Sequence, residues 1–309
     1  MTRRPDLFIV GAPKSGTTSL YSYLAGHPQV YMSPVKEPLY FSPDAIDAER
    51  TRFRYPDDEQ RYLSLYADAR DEVRLGEAST RYLASPHAPT LVAAFQPRPY
   101  VVAILRNPVD MIYALHNETV SQGHERIADF AQALAADDMS YANERARGDV
   151  SGAAAHYRQT ALYADQLERW FGAVGRDRVC VIIFDDFARD TAAELRGVLE
   201  FLDVDADYRP ASLAAHNVSH RQRPLVRAAL DNSAAEWLTD RALPRLIGQN
   251  AKARLALHFR HSPINRRAAP RPALQPGLRR ELEIDFRPQV ERLSELLKRD
   301  LVKLWFSRQ

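Results

Sequence analysis

Cysteine is nearly absent from this 309-residue chain: Cys180 stands alone, so no internal disulfide staples the fold. A single unpaired thiol fits a reducing compartment, and the expected location is cytoplasmic. Long apolar runs are missing as well. No stretch of about 18 apolar residues occurs, and MTRRPDLFIVGAPKSG carries only a few before a glycine and a lysine. Neither a membrane span nor a signal peptide is expected. Acidic residues are missing from one segment: residues 241–280 hold no Asp or Glu but ten Lys or Arg. The remaining 32 basic and 40 acidic residues give the rest of the chain a net charge of −8. Such a block suits an anionic partner, and equally the solvated surface of an arginine-rich protein. What is present is ordinary: 45% hydrophobic and 27% charged residues exclude a disordered or collagenous chain.

Strand-like and helix-like segments alternate. Asp6–Val10 reads as a strand ending in a glycine-bearing turn, and Thr17–Leu24 as the helix after it. Arg74–Glu77 is a short strand, Tyr100–Leu105 an apolar run of the kind buried in parallel sheets, and Val179–Phe184 a fourth strand. Helices are predicted after Pro108, over Ile127–Ala135, around Arg158–Phe171 and across Thr191–Leu202. Residues 34–72 read as an irregular insertion apart from helical Glu59–Ala67. The pattern predicts an α/β fold, a three-layer α/β/α sandwich with a mainly parallel sheet and a phosphate-binding loop. Past Tyr208 no strand is evident, Pro263–Pro276 with its four prolines reads as a loop, and Leu278–Trp305 as a C-terminal helical appendage on the same core. The expectation is one domain, 1–309, with an α/β core over 1–208 and the remainder over 209–309.

Gly11-Ala12-Pro13-Lys14-Ser15-Gly16-Thr17-Thr18 shares the framework of a Walker A loop, in which backbone N–H groups and a helix dipole cradle phosphate. The lysine is displaced. A nucleotide triphosphatase places it directly after the second glycine, where Thr17 stands here, and Lys14 lies inside the loop. Its cation would therefore meet a 5′-phosphate region or the group attached to it. Arg106-Asn107-Pro108 follows the strongest strand, and ligands gather at the carboxyl ends of parallel strands, so Arg106 is expected beside that loop. An arginine there suits a second phosphate.

These motifs resemble a known family. Pro13–Thr18, Lys36-Glu37-Pro38-Leu39-Tyr40-Phe41, Gly76-Glu77-Ala78-Ser79-Thr80-Arg81-Tyr82-Leu83 and Leu105-Arg106-Asn107-Pro108-Val109-Asp110 look like the successive motifs of bacterial sulfotransferases related to the heparan sulfate sulfotransferases. The resemblance continues through Tyr163–Trp170, Phe184–Phe187, Phe201–Val204, Phe286–Leu293 and Asp300-Leu301, almost the whole chain. It implies 3′-phosphoadenosine-5′-phosphosulfate (PAPS) as donor, no metal, and in-line sulfuryl transfer to a hydroxyl, or less readily an amine, of a glycan, lipid or small molecule. Lys14, Ser15, Gly16, Thr17 and Thr18 would hold the 5′-phosphosulfate, Arg106 the 3′-phosphate, and Lys14 would stabilise charge on the departing phosphate. Glu37 occupies the place of the family's base. A carboxylate serves that role near neutral pH once burial raises its pKa. His116, ten residues past Arg106, is the competing base. Arg221 and Arg223 fall in the late basic segment that closes over the nucleotide. No specific nucleic-acid partner is implied.

Two departures stand out. The family's serine ligand to the 3′-phosphate is replaced by Ala114, with Tyr113, Asn117, Arg221 or Arg223 as candidate substitutes. Ala78 stands where some heparan-type enzymes carry a lysine that contacts the acceptor. The aromatic residues Tyr40, Phe41, Phe53, Tyr55, Tyr62 and Tyr66 suit either an acceptor surface or a small local core. His216 and His220 have metal-like spacing but no third ligand nearby. Two other classes stay open at this point. One is a magnesium-dependent P-loop kinase or NTPase using Asp185 at the end of an apolar strand; the other is a noncatalytic anion-binding protein.

Overall fold

The computed structural model describes residues 3–42, 58–147, 156–213, 220–222, 266–268 and 273–307. In chain order the first half comprises β1 (Leu7–Gly11), α1 (Thr17–Ala25), β2 (Val30–Met32), α2 (Glu59–Ser64), β3 (Arg74–Ala78), α3 (Ala88–Phe95), β4 (Tyr100–Leu105) and α4 (Pro108–Gln122). Next come α5 (Phe130–Ala146), α6 (Tyr157–Thr160), α7 (Tyr163–Val174), β5 (Val179–Ile183), α8 (Phe184–Arg189) and α9 (Thr191–Phe201). Two short strands, β6 (His220–Gln222) and β7 (Arg266–Ala268), precede α10 (Pro276–Leu297) and α11 (Leu301–Phe306).

Five strands form one parallel sheet in the order β2-β3-β1-β4-β5. Alternate residues of β1 serve opposite layers. Phe8 and Val10 enter the core shared with α3, α4, α7 and α10, while Leu7 and Ile9 enter the one shared with α1 and α9. Because both faces are covered, all six residues of β4 are buried, which explains its unbroken apolar run. This is the expected α/β/α sandwich. The C-terminal helix α10 places Leu282, Phe286, Val290 and Leu293 in the larger core, joined by Trp305 of α11.

Element boundaries departed from expectation in places with identifiable causes. Strand β2 and helix α3 went unread, β2 because three residues carry no period. The helix expected around Arg158–Phe171 is two, α6 and α7. Leu278–Trp305 is broken after Leu297, where Lys298 adopts a left-handed conformation (φ 53) and Asp300 caps α11. The segment past Tyr208 does contain strands: β6 and β7 pair antiparallel with Arg221 opposite Arg267, and β7 lies inside the expected Pro263–Pro276 loop. Their sequences, HRQ and RRA, hold no apolar residue but Ala268 and show no alternation.

Candidate active site

The order of the sheet puts β1 between β3 and β4, so the loop leaving β1 is flanked by the turns that leave those two strands. That loop is held from both sides. Gly11 (φ 155) has no room for a side chain, since a Cβ would lie 2.7 Å from Leu83 Cβ and 2.9 Å from the Thr80 carbonyl oxygen of the β3 side. On the other side Ala12 N donates to the Ile104 carbonyl of β4 at 2.8 Å. Gly16 (φ 90) supplies the left-handed residue that starts α1, and no side chain caps that helix. Its positive end is thereby left to an anion. Lys14 also sits in left-handed backbone (φ 56), strain of roughly 1–3 kcal/mol of the kind that collects at functional sites. Ser15 is fully buried and its Oγ donates to Pro13 O at 3.1 Å, so this hydroxyl shapes the loop itself. Thr17 is buried and Thr18 half-buried in the first turn of α1.

Arg106 comes to this loop as expected. Its NH1 donates to the Lys14 carbonyl at 2.9 Å, and its guanidinium lies over the Phe184 ring, 4.8 Å from the centroid. The chain turns directly into α4 because the Asn107 side chain accepts from Val109 N and Asp110 N, with Pro108 in the first turn. The Asn107 amide also donates to Trp305 O at 2.9 Å, and Trp305 Nε1 donates to Asp185 Oδ2 at 3.0 Å. Arg299 engages both oxygens of Asp186, and this pairing holds the Asp186 carboxyl below the usual range. The two aspartates that follow β5 thus anchor the C-terminal helices behind Arg106. Asp185, the residue on which a magnesium-dependent reading rests, is bonded to α11 rather than to the loop.

A partner of Lys14 went unread in the sequence: its Nζ donates to Glu118 Oε1 at 2.6 Å. Glu118 lies four residues past Ala114 on α4, so helical spacing from the missing serine position would have found it.

Glu37 joins the site from the β3 side. Its carboxylate accepts from Thr80 N at 2.7 Å, from Thr80 Oγ1 at 3.1 Å and from Lys36 Nζ, and 30% of its side chain remains exposed. Thr80 is the residue whose carbonyl abuts Gly11, so one residue connects the candidate base with the start of the phosphate loop. Glu37 itself has φ 61. Directly behind this segment lies a second glutamate, Glu77, which is fully buried and accepts from Tyr62, Tyr82 and Ser79 hydroxyls. Burial pushes its carboxyl up to about 7, opposed by those hydroxyls and assisted by the charge of Glu37. Phe41, Tyr62 and Tyr66 belong to the core around it, so the local-core reading of these aromatics holds. Tyr40 is half-buried and stacks on Tyr62 at 4.4 Å, while Phe53 and Tyr55 lie outside the described residues.

His116 is not brought to this site. It is 2% exposed, hydrogen-bonded through Nε2 to the Ile127 carbonyl at 2.9 Å, and packed on Phe130 and Tyr157. These contacts seat the ring in the core, with Nδ1 buried and without a hydrogen-bond partner among the described residues. Ala114 is buried on α4, and Asn117 donates one amide hydrogen to Tyr113 O at 2.7 Å, which leaves the second for another partner. The backbone of Arg221 lies on β6, which runs beside α4. Arg223 and His216 lie outside the described residues, as does most of the basic block. Among the described residues no group of three or more His, Cys, Asp or Glu is arranged to hold a metal ion.

Comparison with known proteins bears on this arrangement. Human carbohydrate sulfotransferase 15 is 24% identical over 301 residues, covering 82% of this chain and 53% of that protein. The human bifunctional heparan sulfate N-deacetylase/N-sulfotransferase 3 is 26% identical over 212 residues, covering 67% of this chain and 23% of that protein. The chain thus spans about half the length of the first and about a quarter of the second. A sulfotransferase structure from Alicyclobacillus acidocaldarius superposes with a TM-score of 0.69 at 29% identity, over 96% of this chain and 97% of that one. Residues 5–208 match the model described as Sulfotransferase family, a span that takes in the phosphate loop, the Glu37 segment and Arg106; the chain belongs to the sulfotransferase family.

Proposed function

We propose that the chain transfers a sulfuryl group from PAPS to a carbohydrate hydroxyl, or to an amine on such a sugar. The observation that carries this reading is the pairing of two cations on one loop: Lys14 inside it, and Arg106 bonded to the Lys14 carbonyl from the end of β4. Two anionic groups of one nucleotide need two cations at separate points, whereas a triphosphate with magnesium needs the lysine one turn later. The donor supplies an activated sulfuryl group whose bond to a phosphate oxygen breaks as the acceptor oxygen or nitrogen attacks sulfur. Lys14 neutralises the phosphate oxygen left behind, and the uncapped end of α1 shares that charge. To do so Lys14 exchanges Glu118 for phosphate. Glu37, oriented by Thr80, takes the acceptor proton. The acceptor class rests on the names of the relatives, carbohydrate and heparan sulfate sulfotransferases.

Isothermal titration with adenosine 3′,5′-bisphosphate, with and without magnesium, tests the donor half. Magnesium-independent binding is expected; preference for ATP with magnesium points to a kinase, and binding of polyanions alone to a noncatalytic protein. A screen of sugar acceptors with radiolabelled donor tests the other half.

A further inference from the structure

We propose that Glu77 is a positioning residue for Glu37: its buried carboxylate orients the Ser79 and Tyr82 hydroxyls so that their oxygens hold the backbone beneath the base. The inference rests on the reading of Glu37 as the base.

The polarity of the network follows from counting protons. A backbone N–H only donates, and a hydroxyl has one proton and two lone pairs. Leu39 N lies 3.1 Å from Ser79 Oγ, and Phe41 N 3.1 Å from the Tyr82 hydroxyl, so both oxygens accept there. Their own protons then point at Glu77, at 2.6 Å from Ser79 and 3.1 Å from Tyr82. Tyr62 donates a third bond at 2.6 Å, and the Tyr66 hydroxyl backs Tyr62. Glu37 N completes the set by donating to Ala78 O at 2.8 Å. Alternate amides of the Glu37–Phe41 stretch, those of Glu37, Leu39 and Phe41, are thereby fastened to the end of β3 and the turn after it.

That fastening has something to resist. Glu37 (φ 61) and Leu39 (φ 54) both occupy left-handed backbone, which persists only where surroundings over-determine it. Remove the acceptor at the centre and the two hydroxyls lose their orientation, the two amides lose their acceptors, and the strained stretch relaxes away from Thr80. A core with the sole task of burying apolar surface would place no carboxylate here, since an unpaired buried carboxylate is costly and a half-satisfied network worse than an apolar one.

Charge on Glu77 is part of the device. The groups facing it are Tyr62 from α2, Tyr66 from the turn that follows that helix, Ser79 and Tyr82 from the turn after β3, and Glu37 from the supported segment. With a carboxyl raised to about 7, protonation near neutral pH turns one acceptor oxygen into a donor and reverses a hydroxyl. The order of the Glu37 segment should therefore decline as pH falls through about 7.

The test combines two readouts on the full chain. Amide hydrogen exchange at Leu39 and Phe41, corrected for the intrinsic pH dependence of exchange, reports the backbone. The kcat–pH profile, with adenosine 3′,5′-bisphosphate affinity as the check on folding, reports the consequence. Glu77→Gln places a donor where a hydroxyl presents its own proton, so it should lower protection at both amides and cut kcat by roughly 10²-fold, the scale of a misplaced catalytic group, with bisphosphate affinity unchanged. Ser79→Ala should expose Leu39 alone, and Tyr82→Phe should expose Phe41 alone. These two variants carry the test if Glu77→Gln fails to bind bisphosphate. Unchanged protection and an unchanged kcat–pH profile in all bisphosphate-binding variants overturn the proposal. Lost protection in a protein that transfers no sulfuryl group to any acceptor supports the network and overturns the function it was taken to serve.

Discussion

The two flanks of β1 treat charge in opposite ways. On the β4 side, cations are gathered at the loop: Arg106 is stacked on Phe184 and bonded to a backbone carbonyl, and Lys14 is held by Glu118. On the β3 side, carboxylates are gathered. Glu37 is partly exposed, and Glu77 lies behind it in a shell of hydroxyls without water access. On the proposed function, the first flank meets the two anionic groups of the nucleotide donor. The second holds the candidate base, Glu37, in a fixed place, with the strain of its backbone offset by hydrogen bonds from β3 and the turn after it. On that proposal binding and proton transfer fall to different strands, and substitutions should separate them cleanly.

The largest effect is expected from Glu37→Gln. The substitution keeps shape and the Thr80 contacts but removes proton acceptance, so kcat should fall about 10²–10⁴-fold with bisphosphate affinity nearly intact. Retained turnover in a folded Glu37→Gln protein would mean an acceptor that needs no protein base, such as an acidic phenol.

The cationic flank should respond in the other parameter, and divide within itself. Lys14→Ala removes charge beside the bond that breaks and should slow turnover by about 10²-fold or more, the scale for loss of one electrostatic stabiliser. Arg106→Ala removes a charge-assisted contact of about 1.5–3 kcal/mol and should weaken bisphosphate binding roughly 10–150-fold. Equal affinity for bisphosphate in wild type and Arg106→Ala would remove Arg106 from the 3′-phosphate.

This division also explains what the chain disclosed before its structure was known. Lys14 and Arg106 are legible because each lies in a contiguous stretch, strand then turn then helix, with local meaning. Strand β4 is legible because burial on both faces demands a continuous apolar run. The hydroxyl shell of Glu77 is not, since Tyr62 reaches it from α2 and no spacing links that helix to β3. The Lys14 pairing with Glu118 lies between, since Glu118 falls one helical turn past Ala114 while its partner is 104 residues away. The burial of His116 is legible too: Val109, Ile112 and His116 recur at helical spacing on the buried face of α4.

A smaller effect is expected where the two flanks leave a gap. Ala114 lies one helical turn before Glu118, on a stretch of α4 that faces the loop through the Lys14 contact. If the 3′-phosphate lacks a hydroxyl partner there, Ala114→Ser should tighten bisphosphate binding by up to about tenfold, the value of one bond near 1.4 kcal/mol. Weaker binding would show that the buried hydroxyl finds no partner, and that water or another side chain already serves the phosphate.

The smallest effect on either flank is expected from a charge cluster that touches neither. His156 lies with 8% of its side chain exposed between Asp137, 2.9 Å from Nδ1, and Glu144, 2.9 Å from Nε2, tying α5 to the start of α6. Hydrogen bonding to Asp137 pushes its pKa up to about 9, with burial opposing and Glu144 assisting. A histidine whose folded pKa exceeds its unfolded value of 6.5 stabilises the fold fully below that pH, and the contribution disappears as pH rises through about 9. Thermal unfolding of the wild type should therefore lose stability between pH 6.5 and 9 relative to His156→Gln, which has no proton to release. Bisphosphate affinity and the acid limb of the kcat–pH profile should be the same in both proteins, because neither Arg106 nor Glu77 meets this cluster. A shift of that limb in His156→Gln would mean that the two flanks of β1 are coupled to the helical layer above them, and the separation of binding from proton transfer would no longer hold.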